Sequence, residues 1–246
     1  MYLLEQVMKQ EGDKLVNRAY LVSGEKVSYI SRSFNQWNKR RVNLSGFVLR
    51  PGAVMTNETF LTELERKSFQ KNQRELISAG CTTVVIFANA RYESDIELKI
   101  REAKHRMANS SIDYLIGLSF PLQLLRPSTI RLCKRLSIPA LKLTIDQEVG
   151  VPKLPWTHIA QAMLTYPVTL LADYHCQNKR DKQQLQALWQ NVCGNYHLPS
   201  TPYPMPGHPW PKTLLQKTGL YLKKENCSFI VIWTTSFLAL QGTRVN

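Results

Sequence analysis

The stretch RPGAVMTNETF, residues 50–60, decides how the rest of the chain is read. Pro51-Gly52 interrupts an apolar run, Ala53-Val54 resumes it, and the small oxygen-bearing side chains that follow suit a helix start. The stretch therefore reads as the end of a strand followed by the cap of a helix. Met55, Asn57 and Thr59 follow at alternate positions, none of them an acid or a histidine.

Working outward, a strand-then-helix alternation recurs from residue 46 to residue 193 with a period of about 30 residues, the length of one βα unit. The strand candidates are Phe47-Val48-Leu49, Thr82–Phe87, Ile112–Leu118, Ala140–Ile145 and Val168–Leu171, apolar and β-branched as strands buried on both faces should be. Between them, Ser94 and Glu97 form a capping-box pattern ahead of an apolar stripe at Ile96, Ile100, Ala103 and Met107. Asp181 is placed to cap a second stripe at Leu185, Leu188, Trp189 and Val192, and Gly80 to end the first helix. Residues 15–48 alternate differently, with turns at Ser23-Gly24 and Ser45-Gly46, and predict a small antiparallel layer. LPSTPYPMPGHPWPK, residues 198–212, holds six prolines and predicts a linker, after which Cys227–Thr234 gives one more strand.

Lys and Arg outnumber Asp and Glu by 32 to 18, a formal charge of +14. The basic residues lie in short separated clusters such as Lys39-Arg40-Arg41 and Lys104-His105-Arg106, without a recognition-helix or RNA-sheet pattern, so they read as solvated surface rather than a nucleic-acid footprint. The five cysteines, at 81, 133, 176, 193 and 227, include no C-x-x-C pair, which fits reduced thiols in a cytoplasm. No segment is long and apolar enough to predict a membrane span, and the amino terminus lacks a signal-peptide pattern.

The pieces YLVSGEKVSYIS, VNLSGFVLRPGAV and LISAGCTTVVIF, in that order, resemble the amino-terminal third of the amidohydrolase superfamily, in particular its dihydroorotase, hydantoinase and allantoinase branch. There a β-sandwich hairpin leads through P-G-x-I-D-x-H-x-H into a TIM-like barrel. IPALKLTI, residues 138–145, resembles the segment with the metal-bridging lysine, which maps onto Lys142, and TGLYLKKENCSFIVIW, residues 218–233, resembles the return to the β-sandwich. The resemblance implies Asp at Met55, His at Asn57, His at Thr59 and a further histidine ligand near Leu171; all are replaced. It also implies about three more βα units than the chain supplies before the proline-rich stretch, since the full barrel has eight. The gap must be covered, with residues 199–211 packing across it or dimerisation as the remedies.

Ligands of parallel α/β sheets bind at the carboxyl ends of the strands. Those ends present Asn89, Arg91, Asp146, Glu148, Asp173 and His175 as a candidate ligand face. Asp146, Glu148, Asp173 and His175 have the chemistry of a metal site, but loop carboxylates are commonly just solvated, and no metal or other cofactor is expected. Lys142, alternating inward on its strand, needs a charge partner or a lowered pKa.

These readings predict an α/β chain. Residues 51–197 are expected to form a partial (β/α) TIM-like barrel of about five βα units, with a small β-sandwich from residues 1–50 and 213–246 and a linker at 198–212. The expected function is binding of a small molecule or a protein partner by a dihydroorotase- or hydantoinase-like relative that no longer hydrolyses. The alternatives are a divergent zinc- or other metal-dependent hydrolase of cyclic amide C–N bonds and a basic nucleic-acid-associated protein.

Overall fold

A computed structural model of the chain describes residues 1–11, 14–24, 26–34, 38–49, 52–62, 66–146, 151–176 and 178–220. It divides into two compact units, Met1–Ala53 with Glu75–Thr82, and Val54–Arg74 with Thr83–Tyr221. Residues 221–233 of the segment resembling a return to the β-sandwich, and the strand expected at Cys227–Thr234, lie outside the described residues.

The first unit is built on one mixed sheet. Its strands are β1 (Tyr2–Glu11), β2 (Lys14–Ser23), β3 (Lys26–Ser31), β4 (Arg40–Asn43) and β5 (Val48–Leu49). β1 pairs antiparallel with β2, and β2 with β3, while β4 and β5 run parallel to β1 along its other edge. The layer is therefore not purely antiparallel, and it begins at Tyr2 rather than near residue 15. Gln6 explains why β1 escapes the alternation rule: at φ 56° it forms a bulge where the register shifts between Leu4 and Val7. The bulge brings Leu4 and Val7, three positions apart, into one apolar cluster with Tyr20, Val22 and Leu44. Val48-Leu49 belongs to this sheet and not to the parallel one, a second correction.

The barrel sheet has six strands in the order β11-β10-β9-β8-β7-β6. They are β6 (Ala53–Thr56), β7 (Cys81–Asn89), β8 (Asp113–Pro121), β9 (Ala140–Ile145), β10 (Thr169–Tyr174) and β11 (Ser200–Pro202). All run parallel, with α1 (Arg66–Ser78), α2 (Ile96–Met107), α3 (Pro127–Leu136), α4 (Trp156–Thr165) and α5 (Lys179–Asn195) as the connecting helices. This is a partial TIM-like barrel. Two glycines are required by close approach: a Cβ on Gly52 would lie 2.1 Å from the Thr82 hydroxyl, and one on Gly117 would lie 2.5 Å from the Phe87 ring. Gly80, at φ 84°, ends α1 in the left-handed region.

The stripe Ile96, Ile100, Ala103 and Met107 is buried as its spacing predicts. On α5 the buried set is Leu185, Trp189 and Cys193, with Leu188 and Val192 half-buried. The caps differ from expectation. Ser94 lies in a 3-10 turn and donates to Asp95, so no capping box forms. α5 starts two residues before Asp181, whose carboxylate accepts from Asn178 instead. In both cases the helix begins where the chain leaves the preceding turn, one or two residues from the sequence signal.

Six strands do not close a barrel of eight, and the proline-rich segment runs between the two open edges of this one. β11 extends the edge of β10, with Tyr203 N–H donating to Ala172 O at 2.9 Å. The chain then crosses to the opposite edge, where Gly207 N–H donates to Thr56 O at 2.9 Å and Trp210 N–H to Val54 O at 2.8 Å, flanking a bridge between Met55 and Pro209. Pro202 and Pro209 are tolerated because both pair at sheet edges. A short helix, α6 (Lys212–Lys217), follows, the last among the described residues. Trp210 and Leu214 pack with Val85, Ala140 and Leu171 in the barrel interior, so the half-open sheet is filled by its own downstream chain.

Candidate functional site

Side chains of a strand alternate, and the interior cluster fixes which set faces inward. Val85 and Phe87 on β7, Leu115 on β8, Ala140 on β9 and Leu171 on β10 all belong to that cluster. Two or four residues further toward the carboxyl ends, the same faces carry Asn89, Ser119, Lys142 and Asp173. The pairing register puts Asn89 beside Ser119, Ser119 beside Lys142 and Lys142 beside Leu171, one level across four strands. A cavity of about 380 Å³ opens there, lined by Asn57, Glu58, Asn89, Ser119 and Lys142, with Phe87 among its apolar walls. α2 contributes a Lys99–Glu102 ion pair at 2.8 Å and Arg106, whose guanidinium donates to Leu61 O.

Lys142 is the centre of the polar layer. Its side chain is 14% exposed, and its ammonium lies 2.5 Å from Glu58 Oε1 and 3.1 Å from Asp173 Oδ2. It also sits 4.1 Å from the centroid of the Tyr203 ring. The Tyr203 hydroxyl donates to Glu58 Oε1 at 2.8 Å, and His175 Nε2 lies 3.1 Å from Asp173 Oδ2. Burial works to raise the Glu58 pKa, but the hydrogen bonds from Lys142 and Tyr203 prevail and hold it below the ordinary carboxylate value. For Tyr203, burial and the hydrogen bond to the Glu58 carboxylate both push the phenol well above its ordinary range.

The other expected positions are distributed as follows. Met55 is buried on β6. Asn57 Oδ1 accepts from the Thr59 N–H and hydroxyl, each at 2.9 Å, and from Phe60 N–H at 3.0 Å, so it caps a 3-10 turn at Thr59–Leu61. Thr59 Oγ1 in turn accepts from Asn72. Leu171 is fully buried among apolar groups. Asp146 accepts from Gln123 at 3.0 Å, Arg91 is exposed beyond β7, and Glu148 lies outside the described residues. Among the described residues no three His, Cys, Asp or Glu side chains converge as a metal cluster would require. Glu58, Ser119, Tyr203 and the α2 residues were not singled out by the sequence. Glu58 follows the strand end like any solvated acid, and Tyr203 lies within the proline-rich stretch.

No protein-family model matches the chain, and no curated protein does. Solved structures do match in fold. A D-hydantoinase aligns with a TM-score of 0.58 at 13% identity, covering 81% of this chain and 50% of that one. The dihydropyrimidinase of Brevibacillus agri aligns with a TM-score of 0.58 at 14% identity, covering 78% and 43%. A variant of atrazine chlorohydrolase from Arthrobacter aurescens, complexed with zinc and atraton, aligns with a TM-score of 0.51 at 12% identity, covering 80% and 58%. The chain thus spans about half the length of the structures it matches. Among the described residues no helix is long and apolar enough to cross a membrane.

Proposed function

Taking the fold as a shortened form of the hydantoinase-like amidohydrolase barrel, we propose that this chain binds a small polar ligand at the strand ends without hydrolysing it. The observation that carries the reading is how the positions matching metal ligands are used. Asn57 and Thr59 are committed to each other and to a local turn. Leu171 packs against Trp210 and its neighbours, and the Lys142 ammonium is held by two carboxylates. Such a set does not fit a zinc-like ion, which takes imidazole, thiolate or carboxylate donors free to converge on one point.

The cavity favours a neutral ligand with both donors and acceptors. Lys142 is paired with Glu58 and Asp173 and Lys99 with Glu102, leaving the Asn57 Nδ2 donor, the Asn89 amide and the Ser119 hydroxyl to make directed hydrogen bonds. A volume of about 380 Å³ suits a small ring of the cyclic amide or ureide class. The test is to supply zinc-supplemented protein with hydantoin and dihydrouracil, following ring opening and, by ligand-observed NMR, binding. Binding without ring opening, weakened in Asn89→Ala, is expected. Zinc-dependent ring opening that stops on chelation would overturn the reading.

A further inference from the structure

Lys142 is lodged in a receptor whose walls are held by contacts of their own. Tyr203 is fixed by its hydroxyl on Glu58, by the edge of Phe87 at 5.7 Å between ring centroids, and by its backbone N–H on Ala172 O. Asp173 is held on its strand next to β9 and meets His175. Two single carboxylate oxygens and an aromatic face thus converge on one point, and a cation occupies it. The aromatic wall decides which cation fits. A π-face attracts an organic ammonium, whereas a hard divalent ion takes six or more oxygens at short range.

We infer that Glu58, Asp173 and Tyr203 form a receptor for a primary alkylammonium ion, filled in the native chain by Lys142 acting as a tethered cation. Cutting the tether should free the receptor for a small amine from solution. Binding needs no covalent step: the ammonium of the probe replaces that of the lysine between the same oxygens.

The experiment uses the full chain with Lys142→Ala and n-propylammonium chloride, which restores the deleted atoms. Thermal unfolding is followed alongside wild type, with n-propanol, sodium chloride and magnesium chloride at matched concentration as controls. The variant should melt below wild type and regain about 2–4 °C with propylammonium alone. Wild type should not respond. An equal response of both proteins, no response of the variant, or rescue by magnesium overturns the inference. Should Lys142→Ala fail to fold, Lys142→Met carries the test: Glu58→Gln is expected to stabilise that background and destabilise wild type, and the same sign in both would overturn it. The receptor and the ligand reading fail separately, because amine rescue reports only the receptor and ring opening reports only turnover.

Discussion

Trp210 Nε1 donates a 2.7 Å hydrogen bond to Thr56 Oγ1, both groups buried and 154 positions apart in the chain. This bond and the neighbouring backbone pairs fasten the downstream segment to the first barrel strand, where the last two βα units would stand in a full barrel of eight. A buried tryptophan combines a large apolar area with one donor that must be satisfied.

Trp210→Ala should therefore cost about 3–5 kcal/mol in urea unfolding, the range for removing a large aromatic from a core. Trp210→Phe should cost less, about 1–3 kcal/mol, mainly by leaving the Thr56 hydroxyl without its donor. A loss within about 0.5 kcal/mol for Trp210→Ala, the range of ordinary surface substitutions, would show that the segment does not close the barrel.

Glu58 makes stability depend on pH in a defined direction. Its folded pKa lies below the ordinary 4.5, so its contribution is complete above that value and is lost as pH falls through the lower folded pKa. Melting curves across the acid range should show wild type losing its advantage over Glu58→Gln below about pH 4.5. A constant difference down to the acid limit would contradict the pairing with Lys142 and Tyr203.

Asn57 acts through one oxygen that accepts three hydrogen bonds. Asn57→Ala should destabilise by about 1 kcal/mol, as removal of a cap does, while Asn57→Asp keeps the acceptor and most of the stability. Equal losses in chemical denaturation of both variants would show that the cap is not what Asn57 contributes.

Thiol labelling should sort the described cysteines by burial. Burial pushes Cys133 up to about 12 and Cys193 up to about 11, so neither forms thiolate readily near neutral pH. Cys81 is also buried, whereas Cys176 is partly exposed. Mass spectrometry after brief alkylation at pH 8 should find Cys176 modified first of these four, and modification of Cys133 before Cys176 would contradict the packing.

The central parallel strands β7 to β10 were legible because burial on both faces writes them as apolar runs, and the helix stripes because each turns one face to the sheet. Lys142 was legible as an inward residue from its alternation with Leu141 and Leu143. Of its partners, Asp173 was legible as a strand-end acid, but Glu58, 84 positions away, and Tyr203, 145 positions from Glu58, were not, because no local pattern operates at such distances. β1 was hidden by the bulge at Gln6, which breaks the period of two. In residues 198–212 the prolines exclude a regular helix or central strand, and of the two remedies for the gap expected from the sequence, packing of this stretch across it matches the edge pairings of Gly207 and Trp210. The short pairing of β11 was not visible, because an edge strand needs only a few free backbone groups.

The central claim is that an ammonium, not a metal ion, supplies the positive charge at these strand ends. Elemental analysis of the protein after equilibration with zinc and exhaustive dialysis addresses it most directly. Zinc well below one equivalent is predicted for wild type; one tightly held equivalent, lost in Asp173→Asn, would contradict the account.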